Sequence, residues 1–120
     1  TITGNTCNDN NRYGIYLSSS SGNTITDNIC NNSYYGICLS SSSSNNITGN
    51  TCSDNNDRGI YLSSSSSNAI TGNICNNNNN GIYLFSSCNY NCIVGNVLVD
   101  NGTAYSGGGT GNVEANNVKK

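Results

Sequence analysis

Gly59-Ile60-Tyr61-Leu62-Ser63-Ser64-Ser65-Ser66-Ser67-Asn68 is one statement of a phrase that this chain repeats. It returns as Gly14-Ile15-Tyr16-Leu17, Gly36-Ile37-Cys38-Leu39 and Gly81-Ile82-Tyr83-Leu84, at steps of 22, 23 and 22 residues, each followed by a polar run ending in Asn. A second phrase keeps the same step: Ile2-Thr3-Gly4-Asn5, Ile25-Thr26-Asp27-Asn28, Ile47-Thr48-Gly49-Asn50, Ile70-Thr71-Gly72-Asn73 and Ile93-Val94-Gly95-Asn96. Apolar residues alternate with polar ones in both, together with a Thr/Ile-Cys segment between them, which is the period of a strand. The Asn-, Ser- and Gly-rich stretches between segments suit tight turns and left-handed backbone. Self-similarity at this step marks a stacked repeat in which each strand pairs in parallel with its copies, about 4.8 Å above and below. The spacing therefore predicts an all-β, single-stranded parallel β-helix (a solenoid) with three short strands per coil, right-handed like other parallel crossovers. Coils start near residues 2, 25, 47, 70, 93 and 113, so a single domain over 1–120 holds five coils and the start of a sixth.

Stacking like on like assigns the columns. Ile2, Ile25, Ile47, Ile70 and Ile93 form one inward ladder, and Cys7, Cys30, Cys52 and Cys75 another, with Leu98 taking the fifth place. Ile15, Ile37, Ile60 and Ile82 form a third; Leu17, Leu39, Leu62 and Leu84 form a fourth. Asn5, Asn28, Asn50, Asn73, Asn96 and Asn116 are expected to stack as an amide ladder, each side chain donating to the next. Ser20, Ser42, Ser65 and Ser87 are expected to do likewise with hydroxyls. The sixth coil is read by matching Val113-Glu114-Ala115-Asn116 to Ile93-Val94-Gly95-Asn96 at a spacing of 20. Residues 101–111, which carry Gly107-Gly108-Gly109 where coil five lacks the Gly-Ile-Tyr-Leu phrase, are expected to be irregular or a weak edge. A finer 45-residue period places one extra residue between Cys and Gly of the odd coils.

Composition excludes several function classes. Only 8% of the 120 residues are charged and the net charge is −2, so no basic footprint for nucleic acid exists. The absence of His removes the commonest metal ligand and the usual general base at neutral pH. No apolar run approaches the roughly 18–20 residues of a membrane span, so no membrane insertion is expected.

Asn45 to Asn68 spells Asn-x-Ile-x-x-Asn-x-apolar followed by Gly-Ile-x-Leu-x-x-Ser-x-x-Asn, a pattern that holds over about residues 1–98. It resembles the right-handed parallel β-helix repeats of the NosD-like and carbohydrate-binding-and-sugar-hydrolase group of archaeal and bacterial surface proteins. The resemblance implies the fold and an extracellular or cell-surface setting. It leaves function open, because the same rungs serve lyases, hydrolases, adhesins and envelope proteins. Copper handling, which the NosD name suggests, is not expected of a chain without His or Met whose cysteines mostly point inward.

Sugar-cleaving β-helices cluster several Asp on one outer face. Here Asp9 and Asp54 share a corner two coils apart, roughly 9–10 Å by rung spacing, at the upper edge for an inverting acid–base pair. Those positions alternate with Asn and read as solvated corners; Asp57 lies beside Arg58 and Asp27 in another corner. No catalytic, metal or cofactor site is expected, and the chain is read as no enzyme. Cys88 and Cys92 share the one corner with an inserted residue and are candidates for a local disulfide. Cys38, set outward and unpaired, is the candidate for an intermolecular bond. Tyr16, Tyr61 and Tyr83, with Cys38 between, form an outward stripe suited to sugar rings, to a neighbouring subunit or to supporting the fold. Thr1/Thr3 and Thr24/Thr26 resemble the arrays of ice-binding solenoids, but the outer column decays to Asn46, Ala69 and Cys92. Asn31, Asn46 and Asn101 lie in glycosylation sequons.

No cap is visible in the sequence, whose first and last residues fall inside the same motif. Either the domain is cut from a longer solenoid, or copies stack head to tail with Ile2 and Asn5 continuing Val113 and Asn116, a contact that propagates. The sequence thus points to a structural building block of an extracellular prokaryotic assembly (filament, sheath or surface layer) whose partners are other copies of itself. The alternative is a carbohydrate-binding module of a larger secreted or surface protein, with polysaccharide as its partner.

Overall fold

A segment that alternates apolar and polar residues has one face to bury, and laying it on its own copy buries that face while pairing the backbone. The computed structural model describes residues 1–120 and is built on that principle. It is all-β, and no helix long and apolar enough to cross a membrane is present. One parallel sheet of six strands collects the Ile-Thr phrase: β1 (Ile2–Thr3), β3 (Thr24–Thr26), β5 (Asn46–Thr48), β7 (Ala69–Thr71), β9 (Cys92–Val94) and β12 (Val113–Ala115). A second, of five, collects the Gly-Ile-Tyr-Leu phrase: β2 (Tyr13–Ser18), β4 (Tyr35–Ser40), β6 (Arg58–Ser63), β8 (Asn80–Leu84) and β11 (Thr103–Gly107). The third face is narrow. Single-residue bridges run Thr6–Ile29–Thr51–Ile74–Val97, and only β10 (Val97–Leu98) and β13 (Val118–Lys119) make a regular pair. The chain is a parallel β-solenoid of five coils and a partial sixth.

The core is the set of columns that the period predicts. Ile25, Ile47, Ile70 and Ile93 stand in register and fully enclosed, as do Ile37, Ile60 and Ile82, Leu39 and Leu62, and Cys30, Cys52, Cys75 and Leu98. Ile2 and Cys7, in the first coil, are half-buried. The glycine of each phrase is required by close approach: a Cβ on Gly36 or Gly59 would lie 2.6 Å from the carbonyl oxygen of the next coil's glycine or its counterpart.

Polar side chains close the corners. Asn5, Asn28, Asn50, Asn73 and Asn96 stack as expected, each Oδ1 accepting from the coil before: Asn50 donates its N–H and its Nδ2 to Asn73 Oδ1 at 2.9 and 3.0 Å. Asn50 Nδ2 also donates to the Ile25 carbonyl at 2.9 Å, so the amide bridges three layers. Two further ladders, Asn23–Asn45–Asn68–Asn91–Asn112 and Asn10–Ser33–Asn55–Asn78–Asn101, follow the same pattern at the other corners.

Four sequence expectations are corrected. Asn117, not Asn116, continues the first ladder, its Oδ1 accepting from the Asn96 N–H at 2.8 Å. Asn116 (φ 54) instead takes the left-handed bend held by Gly95 (φ 68), and the register moves to Val113 opposite Cys92 and Glu114 opposite Ile93. Residues 101–111 are not simply irregular, since β11 extends the second sheet with Tyr105 opposite Ile82 and Gly107 opposite Leu84. Backbone pairing alone suffices there; it does not depend on the side chains matching. In the serine ladder, Ser42 and Ser65 accept from the coil before, but the fourth place belongs to Cys88 and not Ser87. Phe85 is the inserted residue, and Ser87 (φ 58) is displaced into the left-handed bend that Ser64 (φ 48) occupies one coil earlier. Consequently Cys88 and Cys92 form no disulfide: Cys88 is enclosed and Cys92 sits exposed on β9, both as free thiols.

Candidate functional site: the aromatic face and the coil ends

The outer side of the second sheet carries Tyr16, Cys38, Tyr61 and Tyr83 in one registered column and Tyr13, Tyr35, Arg58 and Asn80 in the next. The rings of both columns join into one stack. Successive ring centroids lie 4.5 Å apart for Tyr16–Tyr13, 5.6 Å for Tyr13–Tyr35, 5.3 Å for Tyr35–Tyr61, 5.9 Å for Tyr61–Tyr83 and 6.4 Å for Tyr83–Phe85. The stack stays unbroken where Cys38 interrupts the Tyr column, because Tyr13 and Tyr35 supply rings from the neighbouring column. Cys38 does point outward, but only 3% of it is exposed. Burial pushes its thiol up to about 12, against the opposing pull of Arg12 and Arg58. That enclosure corrects the expectation of an accessible Cys38 ready for an intermolecular bond.

Arg58 fastens the stack. Its guanidinium lies 5.3, 4.6 and 4.4 Å from the Tyr35, Tyr61 and Tyr83 ring centroids, donates to the Tyr35 hydroxyl at 2.9 Å and pairs with Asp57 at 2.9 Å. Arg12 covers Tyr13 at 5.0 Å. The extra residue of the odd-coil corners falls beside these two arginines. Sequence reading singled out Tyr16, Tyr61 and Tyr83 and missed Tyr13, Tyr35 and Arg58; the signal was the residue just before each phrase glycine. Chemically, the ring faces are spent on one another, so the stripe offers a ligand mainly ring edges and hydroxyls, with Tyr16, Tyr34 and Phe85 the more open rings.

The first coil and the last turn differ. At the first coil the N–H groups of Thr6 and Tyr13 point away from the stack, as shown by their counterparts Ile29 and Tyr35, which donate to the Asn5 and Arg12 carbonyls below. Asn5 and Asn23 turn their Oδ1 the same way, as Asn28 and Asn45 do one coil later. In the last turn the core columns hold Tyr105 and Gly107 in the fifth coil, opposite Ile82 and Leu84, and Glu114 and Lys119 in the sixth, opposite Ile93 and Leu98. Glu114 and Lys119 form an ion pair at 2.7 Å, and Asn117 Nδ2 donates to the same carboxylate at 2.8 Å. The Lys119 hydrogen bond, with help from Asn117, holds the Glu114 carboxyl below its ordinary value despite partial burial. The Lys119 ammonium stands 5.8 Å from the Tyr105 ring, whose hydroxyl fills the space that a side chain at Gly107 would need.

A family model described as periplasmic copper-binding protein (NosD) matches residues 1–119. The chain belongs to the NosD family. No curated protein and no solved structure matches it. NosD proteins are described as periplasmic, a setting outside the cytoplasm. The copper in the NosD description has no fitting donor set in this chain. Its aligned free thiols form a file, with Cys30, Cys52 and Cys75 inside the core and Cys7 partly buried against it. The Cys52 hydrogen bond and burial raise the Cys30 thiol far above its ordinary value, and burial does the same to Cys52, so neither yields the thiolate a metal needs. No three His, Cys, Asp or Glu side chains converge.

The remaining candidates occupy structural places. Asp9 (φ 58), Asp54 (φ 58) and Asp100 (φ 57) alternate with Asn32 and Asn77 at one left-handed bend, and Asp27 (φ 55) stands in the Gly4 and Gly49 bend, conformations that Asp and Asn tolerate. Among the sequons, Asn46 is exposed with its Oδ1 accepting from Thr48. Asn31 Oδ1 accepts from the Ser53 N–H. Asn101 is a ladder residue whose Nδ2 donates to the Cys75 carbonyl at 2.7 Å, so the nitrogen that a glycan needs is engaged in the fold.

Proposed function

We propose that this NosD-family chain is a non-enzymatic structural building block of an extracytoplasmic assembly at the prokaryotic cell surface (a filament, sheath or surface layer), joined to its neighbour end-on through the first coil. The observation that carries this reading is the one-way run of the ladders, which aims the Thr6 and Tyr13 N–H groups and the Asn5 and Asn23 Oδ1 acceptors of the first coil along the axis, as their counterparts are in each later coil, where a further β-coil can pair with them. A face of that kind is a template for strand addition. The ladders run one way, so the coil that fits must bring N–H donors to Asn5 and Asn23; two first-coil faces would set acceptor against acceptor. Cross-linking through Cys38 is not part of the proposal, since that thiol is enclosed, whereas Cys92 reaches the surface.

A carbohydrate-binding module ranks second, because rings that cover one another leave few faces for a sugar. The end-on reading is tested by placing a photo-reactive residue at Thr3, in the first coil, and separately at Thr71, on the same face three coils on, in cells producing the protein. Thr3 should capture a β-coil partner in the envelope and Thr71 should not. Capture at neither site, or equally at both, would overturn the proposal.

A further inference from the structure

We propose that Asn46 is a glycosylation site whose Nδ2 carries an oligosaccharide through an N-glycosidic bond. Of the three Asn-x-Ser/Thr sequons, at Asn31, Asn46 and Asn101, it is the one that the folded chain leaves free for such a group. The inference goes beyond the end-on reading and shares with it only the setting outside the cytoplasm.

Asn46 and Thr48 are the first and third residues of β5, and Ile47 between them is fully enclosed. Both polar side chains therefore stand on the outer face of the first sheet. Thr48 Oγ1 donates to Asn46 Oδ1 at 2.8 Å, which occupies the amide oxygen within its own sequon and leaves the exposed Nδ2 unbonded. The residues in register on either side, Thr24 and Ala69, are short and uncharged, so a sugar finds room there and breaks no ladder. The other two sequons are built into corners. Asn101 Nδ2 donates to the Cys75 carbonyl at 2.7 Å, and a Cβ on Gly81 would lie 2.9 Å from it, so a sugar on that nitrogen has no way out between the coils. Asn31 Oδ1 accepts the Ser53 N–H at 2.8 Å. The Ser33 hydroxyl of that sequon is enclosed, accepting from the Asn10 N–H and donating to the Asn31 carbonyl.

Because β5 is paired on both sides, by β3 and by β7, the transfer belongs to the exported chain before that strand is laid down. The co-reactant is a lipid-phosphate-linked oligosaccharide, presented by a transferase. Asn46 Nδ2 attacks the anomeric carbon, the N–C bond forms, and the C–O bond to the lipid phosphate breaks. The lipid phosphate leaves with the bonding pair, and a base of the transferase takes the amide proton. Folding then keeps the glycan that fits, on the outer face of the sheet.

The test recovers the protein from the envelope of the cells that naturally produce it and reads intact mass and glycopeptides by mass spectrometry. Wild-type chain should carry an added oligosaccharide mass that maps to Asn46. Asn46→Gln and Thr48→Ala should each abolish that mass, Thr48→Ser should keep most of it, and Asn31→Gln should leave it unchanged. A wild-type chain with no added mass, or one glycosylated at Asn31 or Asn101 with Asn46 bare, refutes the proposal. So does a mass that survives Asn46→Gln. Mapping the wild-type chain needs no variant and decides the matter even where a substituted chain does not fold. Capture at Thr3 and Thr71 reads docking and not mass, so end-on docking and the glycan can fail separately.

Discussion

At the scale of single residues, the side of the strand, not the spacing between cysteines, decides what each thiol does. Cys88 and Cys92 are four positions apart, yet one is enclosed where Ser65 stands in the coil before and the other faces solvent opposite Ala69. Cys38 faces outward and is nevertheless roofed by tyrosines. The expected outcome of a thiol titration follows directly. Cys92 should react at once, Cys7 more slowly at the half-buried first coil, and Cys30, Cys38, Cys52, Cys75 and Cys88 only with denaturant. Labelling read by mass spectrometry checks it; a native chain in which Cys92 is unreactive would mean that it is bonded after all.

At the scale of elements, β2, β4, β6 and β8 of the second sheet are fastened to one another by the aromatic stack as well as by their backbone. Arg58 is the single side chain that touches three rings from β4, β6 and β8. Arg58→Ala removes those contacts, the Tyr35 hydrogen bond and the partner of Asp57, and should lower stability by about 1–2 kcal/mol. Arg58→Lys keeps the charge without the planar fork and should recover only part of that. Denaturant unfolding and the near-ultraviolet tyrosine signal measure both; an Arg58→Ala chain as stable as the wild type would show that the rings hold without their cation. Carbohydrate recognition loses ground at this scale for the same reason, since the contacts that stiffen the sheet occupy the faces a sugar would use.

At the scale of the molecule, the first coil and the last turn carry different chemistry. The first coil turns the Asn5 and Asn23 Oδ1 acceptors along the axis beside Ile2 and Cys7, whereas the last turn sets the Glu114–Lys119 ion pair in the core columns. Because Lys119 and Asn117 hold the folded Glu114 carboxyl below its ordinary value, their contribution is full above the ordinary carboxylate range and is lost as pH falls through the depressed folded value. The melting temperatures of wild type and Glu114→Gln should therefore differ at neutral pH and converge in acid. A gap that persists unchanged into acid would mean that the pair is not what holds the last layer.

How much of this was legible in the sequence depends on what is periodic. The step, the coil number, the four apolar columns and the first amide ladder were readable because in a stacked repeat each residue meets its own counterpart, so one-dimensional recurrence carries three-dimensional contact. The tertiary structure alone decided that Asn117 and not Asn116 ends the ladder, that β11 forms, that Cys88 turns inward and that Tyr13 and Tyr35 bridge the gap above Cys38. Those outcomes depend on where the chain absorbs an odd residue such as Phe85, and on rings leaning diagonally between columns. Neither recurs at a fixed step, and both are settled only when neighbouring coils compete for the same space.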